Sequence, residues 1–143
     1  MNIITNEFLL RTASGTINFL NDSIVATLHT SGATFNTDTS NYNNTYELAT
    51  GSGYTQLSKL ITGKTITLDD VLNHSIYDCD NIEWTAMGGA IGPARYCALV
   101  DTQGSINKYI YIMDFGSDKQ ADDTTDFRII INSSGLFRGY QGV

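Results

Sequence analysis

The sequence predicts an all-β fold: an antiparallel β-sandwich, jelly-roll or Ig-like, of seven to eight strands with one short N-terminal helix. Three observations carry that expectation. Only 16% of the 143 residues are charged, and the polarity comes from Thr, Ser and Asn, which favour strands and turns over helices. Short apolar or alternating segments are separated by turn signals rich in Gly, Asn, Asp and Ser. No helical pattern alternates with these segments, so the βαβ arrangement of a parallel sheet is not expected. A hydrophobic fraction of 41% suits a single domain, residues 1–143, with one continuous core.

Residues 1–14 form an N-terminal segment whose helix formers, Glu7 to Arg11, follow Asn6 as the expected N-cap and stop at Gly15. Ser23 to Thr30 alternates, with Ile24, Ala26 and Leu28 on one face and Val25, Thr27 and His29 on the other. Residues 31–45 are almost purely Ser, Thr, Asn, Gly and Asp, relieved by Ala33, Phe35 and Tyr42, and read as a long surface loop. Tyr46 to Ala49 is a short ordered piece, and Lys64 to Leu68 is a strand opened by Gly63. His74 to Thr85 reads as one strand with a change of phase. Tyr77 and Cys79 share a parity that Ile82 and Trp84 do not, and a β-bulge near Asp80-Asn81 would bring all four inward. Ala94 to Val100 is apolar on both faces apart from Arg95, as in a central strand covered on both sides. Pro93 starts that strand, a position Pro tolerates. Tyr109 to Phe115, Asp126 to Asn132 and Leu136 to Tyr140 complete the set. The expected core contains Trp84, Tyr96, Leu99, Tyr111, Phe127, Ile129 and Ile131.

The net charge is −7, and no two basic residues are adjacent, which argues against nucleic acid as a partner. No apolar run reaches membrane-spanning length, and the first residues carry no signal-type pattern. The two cysteines, Cys79 and Cys97, lack zinc-site spacing and read as reduced, buried thiols on neighbouring strands. His29 and His74 read as ordinary surface or edge residues, with no nucleophile motif to serve. The acids of residues 116–126, Asp118, Asp122, Asp123 and Asp126, could offer oxygen ligands to a hard cation. They lack the spacing of an EF-hand, so solvated acids are the simpler reading. No cofactor, metal or catalytic set is expected. Arg95 is the odd residue, and the acids of the preceding strand, Asp78, Asp80 and Glu83, are its expected ion-pair partners. Phe8, Leu9, Phe35 and Tyr42 lie outside the expected strands and are the candidate interface residues.

Taken together, several segments resemble a family of small tailed-bacteriophage virion proteins. They are Asn21 to Leu28, Gly51-Ser52-Gly53-Tyr54-Thr55, Gly63 to Thr67, Tyr77 to Trp84, Ala94 to Val100, Asp114 to Asp118, Asp126 to Ile131, and Ser133 to Leu136. The resemblance lies in their order and spacing over roughly residues 15–138. Cys79, Cys97 and the 31–45 loop depart from it. It implies a structural component of the virion, made in the host cytoplasm, with no enzymatic activity. Its expected partners are the major capsid protein or other virion proteins and further copies of itself, with a cyclic trimer suiting a local three-fold axis. The expected role is capsid decoration; a neck, tail or fibre component is the second reading. A carbohydrate-binding domain using Trp84 and the tyrosines is the third.

Overall fold

Alternation along Ile24–His29 sets the centre of the molecule. A computed structural model describes residues 1–140, Tyr140 by its backbone alone. In chain order the elements are β1 (Ile3–Ile4), α1 (Asn6–Ala13), β2 (Ile24–His29), β3 (Lys59–Leu60), β4 (Thr65–Asp69) and β5 (His74–Asp78). They continue with β6 (Ile82–Thr85), β7 (Ile91–Asp101), β8 (Lys108–Ala121), β9 (Asp126–Ile129) and β10 (Phe137–Tyr140). All pairings between these strands are antiparallel. The fold is all-β and sandwich-like, with one short helix, as the sequence predicts.

One layer is a five-stranded sheet in the order β1-β8-β7-β2-β3, and facing it are a three-stranded sheet, β10-β5-β4, and the pair β6-β9. Period-two alternation divides the large sheet cleanly. Ile24, Ala26, Leu28, Cys97 and Leu99 join the main core between the layers. Val25, Ala98, Val100, Tyr109 and Ile112 form a second cluster on the opposite face, covered by Phe35, Tyr42 and Leu57. The two-sided covering expected for Ala94 to Val100 is therefore present. It also explains why Tyr96 is only partly buried: it belongs to the outer cluster with Ala98 and Val100, not to the main core. Trp84, Leu99, Tyr111, Phe127 and Ile129 are buried as expected, whereas Ile131 lies past the end of β9 and is partly buried.

The phase change between His74 and Thr85 is a change of sheet. Instead of one bulged strand there are two, β5 and β6, and residues 79–81 carry the chain from one sheet to the other. The physical purpose anticipated for a bulge is still met. Cys79, Ile82 and Trp84 are buried, and Tyr77 packs against the same core. On β6-β9, Ile82 faces Ile129 and Trp84 faces Phe127, two apolar cross-strand pairs on the inward side.

β7 starts at Ile91, ahead of Pro93, and β8 runs on to Ala121, so most of the expected acidic loop is strand. The N-cap of α1 is Thr5, not Asn6: the Phe8 amide donates to Thr5 Oγ1 at 3.1 Å. Thr5 Oγ1 itself donates to the Tyr109 carbonyl at 2.8 Å, which ties the helix start to β8. The helix ends at Ala13 with Ser14 as its C-cap, and Gly15 follows with a φ of +75° that suits glycine. No helix of the described residues is long and apolar enough to cross a membrane.

Candidate functional site

Arg95 has an acidic partner, but not one of the three expected. Its Nε donates to Asp114 Oδ1 at 2.6 Å and its Nη2 to Oδ2 at 3.3 Å. Sheet order is the reason: β8 and β2 flank β7, while Asp78, Asp80 and Glu83 lie in the opposite layer. Asp114 also accepts from the Gly116 amide at 2.8 Å, and the N-terminal ammonium lies 3.2 Å from its Oδ2. The Arg95 and Gly116 donors hold the Asp114 carboxyl well below its ordinary range.

The three acids expected to pair with Arg95 are instead separate structural devices. Asp78 Oδ1 accepts from the Cys79 amide at 2.9 Å. Asp80 Oδ2 accepts from Thr62 Oγ1 at 2.8 Å, and its amide donates to the Thr62 carbonyl at 2.9 Å. That closure needs Gly63, because φ is +62° and a Cβ there would stand 2.3 Å from the Asp80 carboxylate. Glu83 pairs with Arg128, directly across β6-β9. Arg95 is partly solvated, with 29% of its side chain exposed. Arg95→Met is therefore expected to lower the melting temperature by only a few degrees in a thermal scan. A collapse of the folded signal would show that the pair is buried in solution.

The interface residues divide unequally. Phe8 is 2% exposed and sits in the main core, so it is not a surface contact. Helix geometry gives the reason: Phe8 is the buried residue of α1, with its ring against Tyr77 and Phe137, while Leu9 and Leu10 remain exposed. Phe35 and Tyr42 are partly buried against the outer face of the large sheet. The 31–45 loop is pinned as well. Asn6 N donates to the Thr37 carbonyl at 2.8 Å, Tyr42 N to Asn107 at 2.9 Å, and Tyr109 N to Ser40 at 2.9 Å.

The residue that organises this cover is Glu47, which sequence reasoning missed. It is 6% exposed. Tyr54 donates its hydroxyl to Oε1 at 2.6 Å, the Leu57 amide donates to the same oxygen at 3.0 Å, and Tyr42 donates to Oε2. Tyr54 in turn accepts from the Leu28 amide at 2.9 Å, extending the chain of bonds to the C-terminal end of β2. One carboxylate thus fastens residues 42, 54 and 57 to the sheet. The available signal was a lone acid, tyrosine-flanked, in a stretch of Ser, Thr and Asn.

Beside this hub lies a cleft of about 340 Å³, lined by His29, Phe35, Asn41, Asn43, Tyr46 and Tyr109 among others. His29 is buried, contrary to its expected surface position, and burial pushes its pKa down to about 4. Its Nε2 lies 2.9 Å from Thr27 Oγ1, and its ring packs against Phe35 at 5.3 Å. His74 is also buried, 3.8 Å from Asp69. Cys79 and Cys97 are buried free thiols, and burial raises both, Cys79 to about 12. Cys79 lies in the β5–β6 crossover instead of on a strand beside β7.

Three acids of residues 116–126 accept structural hydrogen bonds: Asp122 Oδ1 from Gln120 Nε2 at 3.0 Å, Asp123 Oδ1 from Gly88 N at 2.8 Å, and Asp126 Oδ1 from Thr85 Oγ1 at 2.8 Å. Among the described residues, no group of three or more His, Cys, Asp or Glu is placed to hold a metal ion. Trp84 is 5% exposed and packed against Tyr54 and Phe127, so it offers no open face on which a sugar could stack. No protein-family model matches the chain, and no curated protein or solved structure matches it at a significant level.

Proposed function

We propose that this chain is a structural component of a tailed-bacteriophage virion, with a capsid decoration protein as the leading reading and no catalytic role. The observation that carries the reading is where the resembling segments fall. Tyr77 to Trp84 makes the crossover between the two layers, Ala94 to Val100 lies in the central strand, and Asp126 to Ile131 includes the partner of β6. The resemblance therefore lies on the framework of the domain, where a structural role needs it.

The mechanism is mass action on a lattice. Many copies, each burying modest surface against the major capsid protein and each other, favour the assembled shell over its ruptured state. A sheet covered on both faces suits that task, because a rigid subunit loses little conformational freedom on docking. The charge of −7 on each copy keeps decorated particles apart in solution. A carbohydrate-binding role loses its main support with the burial of Trp84.

Copy number tests the reading. Quantitative mass spectrometry of purified particles is expected to find on the order of hundreds of copies of this chain, as a shell lattice requires. A dozen or fewer would move it to the neck, tail or fibre. Its absence from the particles would overturn the proposal.

A further inference from the structure

Among the described residues, the outer edge of β4 is a strand edge with little protection. β4 pairs with β5 alone, so its outward N–H and C=O groups meet no other strand among the described residues. Protein edges are ordinarily guarded by shortness, charge or proline. β1 and β3 are two residues each, and the β6-β9 pair carries Glu83, Asp126 and Arg128. β4 has five residues, and the run Thr65-Ile66-Thr67-Leu68 is free of charge and proline. Its apolar side chains are exposed, Ile66 at 39% and Leu68 at 70%, and the hairpin tip adds Val71 at 91%.

We propose that β4 pairs antiparallel with β4 of a second copy about a two-fold axis at Thr67, joining two three-stranded sheets into one of six. The register follows from two constraints. Opposed residues of an antiparallel pair point to the same face, so the axis passes at a residue and not between two. Among such axes, the one at Thr67 sets Lys64 opposite the partner's Asp70, twice by symmetry. Shifting it by one residue either way sets Lys64 against the partner's Leu68 or the partner's Leu72 instead. Two copies of charge −7 repel each other, which makes these cross-pairs the terms that select the register. In it Ile66 opposes the partner's Leu68, covering both exposed side chains. Lys64 Nζ donates to the Asp22 carbonyl, and an ammonium has two further donors for the partner's Asp70. The association is two-fold, not three-fold, and it stands whether or not the chain belongs to a virion.

The full-length chain carries the test. Thr67→Cys is expected to form a disulfide-linked dimer under mild oxidant, because the two introduced thiols face each other across the axis. Cys79 and Cys97 are buried and do not compete. Val71→Cys is the control: its two copies would lie about eight residues apart along the paired strands, roughly 27 Å, beyond disulfide reach. Sedimentation velocity is expected to show a monomer–dimer equilibrium that Leu68→Lys weakens at least about tenfold without lowering the melting temperature. Asp70→Lys is expected to weaken it too, and adding Lys64→Asp to restore it. A chain that stays monomeric at every concentration, or that cross-links as readily through Val71→Cys as through Thr67→Cys, would overturn the proposal.

Discussion

Phe8→Ala is expected to destabilise the domain by roughly 3–5 kcal/mol, the range for emptying a phenyl ring from a packed core. Phe8 meets Tyr77 and Phe137 edge-on, at centroid distances of 5.6 and 5.3 Å, and Phe19 meets the same two rings at 5.3 and 5.9 Å. Tyr77 and Phe137 stack at 4.7 Å, so the hole would open at the middle of an aromatic group with no flexible side chain to refill it. Leu9→Ala, one residue along, removes a side chain that is 54% exposed and is expected to change stability by less than about 0.5 kcal/mol. Urea denaturation of the two variants gives the comparison. Deletion of Met1 to Leu10 follows the same logic. It removes β1 from the edge of β8, Thr5 from its bond to Tyr109, and Phe8 from the core, and is expected to yield unfolded or aggregated protein. A truncated chain that melts like the full one would show that the helix is an appendage.

What the sequence could reveal follows the range of the interaction that fixes it. The alternation in Ile24 to His29 and the two-faced apolar run of Ala94 to Val100 are local patterns, and both strands lie where those patterns place them. The His74 to Thr85 segment carried its phase change openly. A bulge and a change of sheet produce the same shift in parity, and only the pairing of β5 with β10 and β6 with β9 distinguishes them. The β9 partners lie 41 to 47 residues away and the β10 partners 60 to 66, beyond any local signal. The partner of Arg95 is hidden from the sequence for the same reason. The oddness of Arg95 is written in the strand, but its partner depends on which strand lies alongside, and β8 lies there instead of β6. Glu47 left the weakest trace. Its burial depends on Tyr54 from the main core and Tyr42 from the outer cluster both reaching it, which composition cannot report.

Glu47→Ala is expected to cost about 3 kcal/mol, because it leaves the Tyr54 hydroxyl and the Leu57 amide without an acceptor in a buried site. The loss is expected to be partly shared with Tyr54→Phe. The double variant should then be more stable than the sum of the singles predicts, by roughly 1–2 kcal/mol. Two independent surface effects would add instead. The same hub sets a pH dependence. Burial first, and the bond to Glu47 second, raise the Tyr54 and Tyr42 phenols well above their ordinary value. A raised phenol pKa means that the folded state holds its proton more tightly than the unfolded chain. Its stabilisation is then fully present below pH ~10, the unfolded value, and is lost as pH rises beyond it. The native protein is expected to show incomplete tyrosinate absorbance near 295 nm in that range, with the remaining tyrosines ionising only as the domain unfolds. In Glu47→Ala the 42–58 cover loses its anchor, and Tyr42 and Tyr54 are expected to ionise earlier than in the parent chain. If both phenols titrate at their ordinary value in the folded parent protein, Glu47 does not hold the cover in solution.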